Sequence, residues 1–312
     1  MLSRTADHLY WMARYSERAE NLARLLDVTY QMSLVPKDME SERQNWNAII
    51  VLNSLETPFA ERYKQATPEN VLHFMVCDGE NGSSIYSCIR AARENAHAVR
   101  GTLTAEMWET INATWIELRS LRFEDILARG IGSFFAWVKE RASLFRGAAF
   151  GTMLQDESFN FILLGNLLER ADNTARILDV KYHGLATPGD DDDSTDFYQW
   201  GALLRSVSAF EVYRKVYRDV ITPTRVAELL ILREDLPRSL HACMKGVTDV
   251  LRKVANTRSA ETERRAGMIY ASLHYGRMED IFDQGLHAYL TEFMDNIYDL
   301  GDRISQNFLV SA

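Results

Sequence analysis

The sequence predicts an all-α fold, a helical bundle built from a tandem duplication with pseudo-twofold symmetry. Three observations predict it. First, Glu17–Tyr30 (ERAENLARLLDVTY) returns 152 positions later as Glu169–Tyr182 (ERADNTARILDVKY), with ten of fourteen positions identical. A match this close marks one structural unit used twice. Second, six prolines and sixteen glycines in 312 residues are few, which favours long helices over a turn-rich β fold. Third, no segment sustains the period-two alternation of a half-buried strand.

The elements follow in order. The first helix runs from Ser3, a suitable N-cap, to about Leu34, where Pro36 stops it. Ser41-Glu42-Arg43-Gln44 reads as a capping box that opens a helix carrying Trp46, Ile49 and Ile50. Thr67-Pro68 is an N-cap followed by proline at the first helical position. Asp78–Ser83 makes a turn, Ser84–Arg100 a helix, and Thr104 restarts a helix through Trp108, Ile111 and Trp115. Phe123 to about Phe150 is again helical in period, with Gly130, Gly132 and Gly147 as points of close approach or kinking. Asp156-Glu157-Ser158 caps the long helix that carries the second copy of the repeat.

His183–Phe197 holds glycine, proline and four consecutive aspartates, which predict a solvated linker. Beyond it the features recur. Asn45-Trp46 matches Gln199-Trp200, Thr67-Pro68 matches Thr222-Pro223, and Ser84 through Cys88 matches Ser239 through Cys243. Past about Gly101 and Asn256 the correspondence in sequence fades. The expected organisation is one intertwined globular unit with internal repeats 1–150 and 153–312. Residues 1–184 hold the first half and the second repeat helix, 185–196 the acidic linker, and 197–312 the remainder.

Composition narrows the function classes. The net charge of −9 argues against an extended nucleic-acid surface. The amino terminus lacks the apolar core of a secretory signal, and the longest apolar run, Phe159–Leu168, is too short to span a bilayer. A cytoplasmic location is expected, with no membrane partner. Cys77, Cys88 and Cys243 make no C-x-x-C pair, so neither a disulfide framework nor a metal site is indicated, and they read as packing residues. No phosphate-binding loop, dinucleotide fingerprint or nucleophile elbow is present.

The repeat itself carries the chemistry. At about 100° per residue, Glu17, Asn21, Arg24 and Val28 fall in one stripe, as do Glu169, Asn173, Arg176 and Val180. Apolar residues, Tyr10 and Ile162, continue each stripe toward the amino terminus, so both stripes are expected to be at least partly buried. The ordinary reading is that each glutamate pairs with an arginine of the other helix and fixes the register of packing. The functional reading is an anion site. Arg18, Asn21, Arg24 and Asp27, with Arg170, Asn173, Arg176 and Asp179, would bind substrate, since arginine offers a planar fork suited to carboxylate or phosphate. Glu17 or Glu169 would be the catalytic residue if the chain were itself an enzyme, although neighbouring arginines favour the ionised carboxylate over a general base.

A second polar set, Arg93, Asn95, His97 and Arg100, has no counterpart in the matching stretch Gly246–Val254, which suggests a local substrate-binding role. Glu94 and His97 form the single Glu-x-x-His pair, too little for the di-iron template. On the terminal helix, Tyr298, Leu300, Phe308 and Leu309 are candidates for an exposed apolar interface that would make the chain a structural adaptor or a homo-oligomer.

The chain resembles the bacterial alpha-E domain family. The resemblance spans essentially the whole length and rests on Ser16 through Asn21, Ala92 through Arg100, Trp108 with Asn112, Leu168 through Asp172, and Pro237-Arg238-Ser239. It implies an all-helical protein that works beside a circularly permuted ATP-grasp ligase, often with a transglutaminase-like protein, in a system that makes or trims amide bonds. The implied partners are therefore an ATP-grasp ligase and a peptide or amino-acid substrate. ATP and magnesium would be used by the ligase, and no cofactor is expected on this chain.

Overall fold

The structure, a computed structural model, describes residues 1–34, 39–185 and 193–309, and the side chains of 1–34, 43–179 and 198–309. Pro36 and most of the acidic run lie outside the described residues, as do the side chains of Ser41, Glu42, Val180, Tyr182 and His183. The described residues are all helical or irregular, with no strand. By compactness the chain forms two units, Trp11–Gln155 and Met1–Tyr10 with Asp156–Ala312. They are called the N-unit and the C-unit below. The division falls at Trp11 and Asp156, not at the aspartate run.

The N-unit takes most of α1 (Ser3–Ser33), then α2 (Met39–Leu52), α3 (Glu56–Ala60), α4 (Pro68–Val76), α5 (Ile85–Ala98), α6 (Ala105–Arg119), α7 (Phe123–Arg129) and α8 (Ile131–Thr152). Local chemistry sets the helix starts. The hydroxyls of Thr67, Ser84 and Thr104 accept from the backbone N–H groups of Asn70, Ser87 and Met107, which satisfies amides that the first turn leaves without partners. The capping-box reading of Ser41 is corrected. α2 is already helical from Met39, so Ser41 sits inside the helix. The helical stretch expected over Phe123–Phe150 is divided at Gly130, one of the three glycines named as possible kinks. Gly130 breaks it at φ +91°, a conformation open to glycine alone. In the core, Trp46, Ile49, Ile50, Phe74, Met75 and Phe135 are fully or almost fully buried. α6 packs between α5 and α8.

The C-unit continues with α9 (Glu157–Leu185), α10 (Asp193–Ser206), α11 (Phe210–Tyr217), α12 (Pro223–Ile231), α13 (Leu240–Lys253), α14 (Ala260–His274), α15 (Met278–Gln284) and α16 (Leu286–Phe308). Asp156 opens α9 by accepting from the backbone of Ser158 and Phe159. Thr222 and Ser239 cap α12 and α13. Gly285, at φ +92°, separates α15 from α16. α13 packs on α9 and α14, and α16 on α9 and α14. A β-carbon at Gly246 in α13 would stand 2.7 Å from Leu167 Cδ1 in α9, so glycine sets how closely these helices approach. The expectation of an exposed apolar strip on the last helix is corrected. Leu300, Phe308 and Leu309 are buried, and only Tyr298 is exposed. α16 carries charge on its outer side and turns its apolar residues onto α9 and α14, as any two-sided helix must. Among the described residues, no helix is long and apolar enough to cross a membrane.

Candidate functional site

The repeated stripe is partly buried, as its apolar flanks foretold, with Arg24, Val28, Asn173 and Arg176 half-buried. Glu17 is 1% exposed, Glu20 0% and Asn21 3%; in α9, Glu169 is 4% and Asp172 8% exposed. Carboxylates so deeply placed need charge partners, because an isolated ion in a low-dielectric interior is far too costly. In the N-unit the partners come from α8. Arg146 reaches both acidic residues, lying 3.5 Å from Glu17 and closer still to Glu20. Glu20 Oε1 also accepts from Arg24, at 2.9 Å from Nε and 2.7 Å from Nη2, a fork on one oxygen. Lys139, seven residues before Arg146 and so on the same face of α8, holds Asp27 at 2.6 Å. Thus Arg24 and Arg146 serve buried carboxylates, and Arg18 lies over the Tyr15 ring at 5.8 Å.

In the C-unit, Arg176 Nε donates to Asp172 at 2.9 Å and lies 5.6 Å above the Tyr298 ring. Asp179 accepts from His287 Nδ1 at 2.7 Å. Arg170 and Asn173 are half-buried. Lys139, Arg146, Tyr298 and His287 did not figure in the sequence-based site. The available signal was the spacing of Lys139 and Arg146, two cations one heptad apart and so on one face of α8.

The second set is brought together on one residue, Trp108 of α6. The guanidinium carbons of Arg100 and Arg93 lie 5.0 and 5.6 Å from its ring centre, and the His97 ring lies 5.8 Å away. Arg93 Nε also donates to Asn112 Oδ1 at 3.3 Å. Trp108 and Asn112 thereby join the site. Alongside, Arg90 lies 5.8 Å from the Tyr86 ring, which itself contacts Trp115 at 5.2 Å, and Arg90 donates to the carbonyl of Gly79. Asn95 is not part of this face. Its side-chain amide donates to Ala91 O at 2.8 Å, one turn back along its own helix. Guanidinium over an indole face is a favourable contact that leaves the in-plane N–H donors facing outward.

Of the cysteines, Cys88 and Cys243 are buried, while Cys77 is intermediate. Burial, with a smaller contribution from Glu124, pushes the Cys77 thiol up to about 11. Such a thiol is almost wholly protonated at neutral pH and is a poor nucleophile.

The features above define a helical domain whose doubled Glu-Arg-Ala stretches bury their glutamates, Glu17 and Glu169. The chain belongs to the Alpha-E family, described as a predicted alpha-helical domain with a conserved ER motif, and the family match covers residues 1–309. It is 22% identical over 315 aligned residues to uncharacterized proteins of Mycobacterium bovis and of two strains of Mycobacterium tuberculosis. The alignment takes in 95% of this chain but 35% of each relative, so the chain spans about a third of their length. No solved structure matches it significantly.

Proposed function

We propose that the chain is the helical partner of an ATP-grasp-type amide ligase, binding the ligase and helping to position a carboxylate or acyl-phosphate substrate. One observation carries the reading. In the mycobacterial relatives this domain is joined to a larger polypeptide. The remaining two-thirds of those relatives leaves room for a partner domain, and its assignment as an ATP-grasp ligase comes from the family resemblance. ATP and magnesium belong to the ligase; the substrate is a peptide or amino acid, and a transglutaminase-like protein is a further partner. The whole acts in the cytoplasm.

Arg93, His97 and Arg100 around Trp108 supply the anion-binding part of this reading. Exposed Arg100 and His97 with half-buried Arg93 form a basic face in an acidic protein, suited to a carboxylate or phosphoryl group. The stripes on α1 and α9 have a mainly structural part, because Glu17, Glu20 and Asp172 already engage arginines. The tandem duplication, 1–150 and 153–312, with its pseudo-twofold arrangement and intertwined halves, also belongs to the proposal. The recurrence of N-caps at Thr67 and Thr222 and at Ser84 and Ser239 supports it.

Mass photometry of the chain mixed with the ATP-grasp protein of the same genome tests the reading, together with ligase turnover in its presence and absence. A complex and raised turnover are expected, and Arg93→Ala with Arg100→Ala should lower turnover while leaving the complex formed. No complex and unchanged turnover would overturn it. Hydrolysis of a peptide or acyl-phosphate by the purified chain alone would move the reading to an enzyme acting through Glu17 or Glu169.

A further inference from the structure

Hydrogen-bond donors predominate on the face shared by α5 and α6. Arg93 Nε engages the Asn112 carbonyl oxygen and leaves the Asn112 amide N–H groups as donors. Arg93 keeps its terminal N–H groups, and Arg100 keeps all of its own. Among the described residues, Arg90, Arg93 and Arg100 form no ion pair, although acidic residues outnumber basic ones by 44 to 35 in the chain. The carboxylates closest in sequence, Glu94 and Glu109, are exposed and pair with none of the three. A donor-rich face of this kind is complementary to a ligand that brings negative charge and acceptors.

The donors fall into two groups. Arg93, His97 and Arg100 surround Trp108. Arg90 stands apart, 5.8 Å from the Tyr86 ring, with Trp115 against that ring at 5.2 Å. Arg90 gives one N–H to the Gly79 carbonyl at 3.1 Å and keeps the others. Arg90 and His97 are one heptad apart on α5, as are Trp108 and Trp115 on α6. The two groups therefore lie about 10 Å apart along the helices. A lone carboxylate or phosphate cannot reach both. A chain in the polyproline II conformation, with three residues per turn, turns residues i and i+3 to one side about 9 Å apart. A β-strand turns the same two residues to opposite faces. Aromatic rings beside the donors suit the extended chain further, since it is preformed and loses little freedom on docking.

We infer that the α5–α6 face holds an extended acidic peptide. One carboxylate sits on Arg93 and Arg100 beside Trp108, and a second, three residues along, on Arg90 beside Tyr86 and Trp115. The inference rests on the reading of Arg93, His97 and Arg100 as an anion site, and adds the spacing that a single anion cannot supply.

The test is fluorescence anisotropy of the full chain at low salt with labelled peptides. The first carries Glu-Pro-Pro-Glu in an alanine frame. The second replaces both glutamates by glutamine, the third is shortened to Glu-Pro-Glu, and the fourth is an alanine-rich helix with glutamates seven apart. The first should bind at least about fivefold tighter than the glutamine peptide and tighter than the other two. Arg90→Gln should erase the preference for three-residue spacing while keeping that for acid over amide. Arg93→Gln with Arg100→Gln should erase most binding, and Arg129→Gln, on α7, should change nothing. Should a variant fail to fold, the four peptides on the unaltered chain still decide. Absence of saturable binding, equal binding of the glutamine peptide, indifference to spacing, or tighter binding of the helical peptide would each overturn the inference. No ligase is present, so failure here leaves the test of the ligase complex standing, and failure of that complex leaves the peptide result standing.

Discussion

The N-unit and the C-unit share N-caps at Thr67 and Thr222 and at Ser84 and Ser239, yet differ in how they handle charge. Gly130 and Gly285 both break a helix at φ near +91°, and Trp46 and Trp200 are both buried. At the position 155 residues beyond Trp108 stands Glu263, and beyond Arg93 stands Thr248. Ring pairs survive the change, with Tyr86 against Trp115 at 5.2 Å and His241 against Tyr270 at 5.5 Å. Backbone punctuation and aromatic packing are therefore what the architecture requires, whereas the cations about Trp108 are an addition to one unit. The buried stripes tell a similar story. α8 answers α1 with Lys139 and Arg146, while α16 answers α9 with His287 and Tyr298.

That contrast can be broken by substitution, and the largest effect should come from the buried charges. Arg146→Met leaves Glu17 and Glu20 short of a cation, and urea unfolding should show a loss of about 3 kcal/mol. Arg176→Met, beside Asp172 with the Tyr298 ring above it, should cost less than half as much. Equal losses would mean that the two stripes are held alike. Next comes Gly246→Ala, whose β-carbon meets Leu167 at 2.7 Å. It should cost about 2 kcal/mol by overpacking and be partly rescued by Leu167→Ala. The corresponding N-unit position is already Ala91, so tolerance at Gly246 would erase that difference.

Gly130→Ala and Gly285→Ala should each cost about 1 kcal/mol, because a β-carbon is strained at that φ. Thermal melts that separate the two by several degrees would show that the matching breaks are not equivalent. The smallest effect on stability belongs to the Trp108 cluster. Arg100→Ala should move stability by less than about 0.5 kcal/mol, as exposed charges usually do. Finally, Cys77, where the C-unit has Leu232, should react with iodoacetamide at a rate that keeps climbing toward pH 11. Levelling off near pH 9 would show an ordinary thiol.

Much of this was legible in sequence because it is local. N-caps, helix breaks and the common face of Arg93, His97 and Arg100 all follow from residues within two turns of one another. The burial of Glu17 and Glu169 was legible too, from the apolar residues that continue each stripe. What was hidden depends on contacts far apart in the chain. Arg146 lies 126 residues from Glu20 and Lys139 lies 112 from Asp27, and nothing in local spacing says which cation will arrive. The same holds for Leu300, Phe308 and Leu309. Their helix has an apolar face, but only packing decides that α9 and α14 cover it. The extra length of Ser41's helix at its start is a smaller case, in which an internal Ser-x-x-Gln mimics a beginning.

One rod joins these matters. The first residues of α1 count with the C-unit and the rest with the N-unit, yet the helix is continuous from Ser3 to Ser33. Adding or removing one residue between Glu20 and Asp27 would turn Asp27 by about 100° about the helix axis relative to Glu17 and Glu20, so that α8 could no longer present Arg146 to the glutamates and Lys139 to Asp27 at once. Natural length variation should therefore collect in the connecting segments and spare this shaft, whose phase is as binding as its composition.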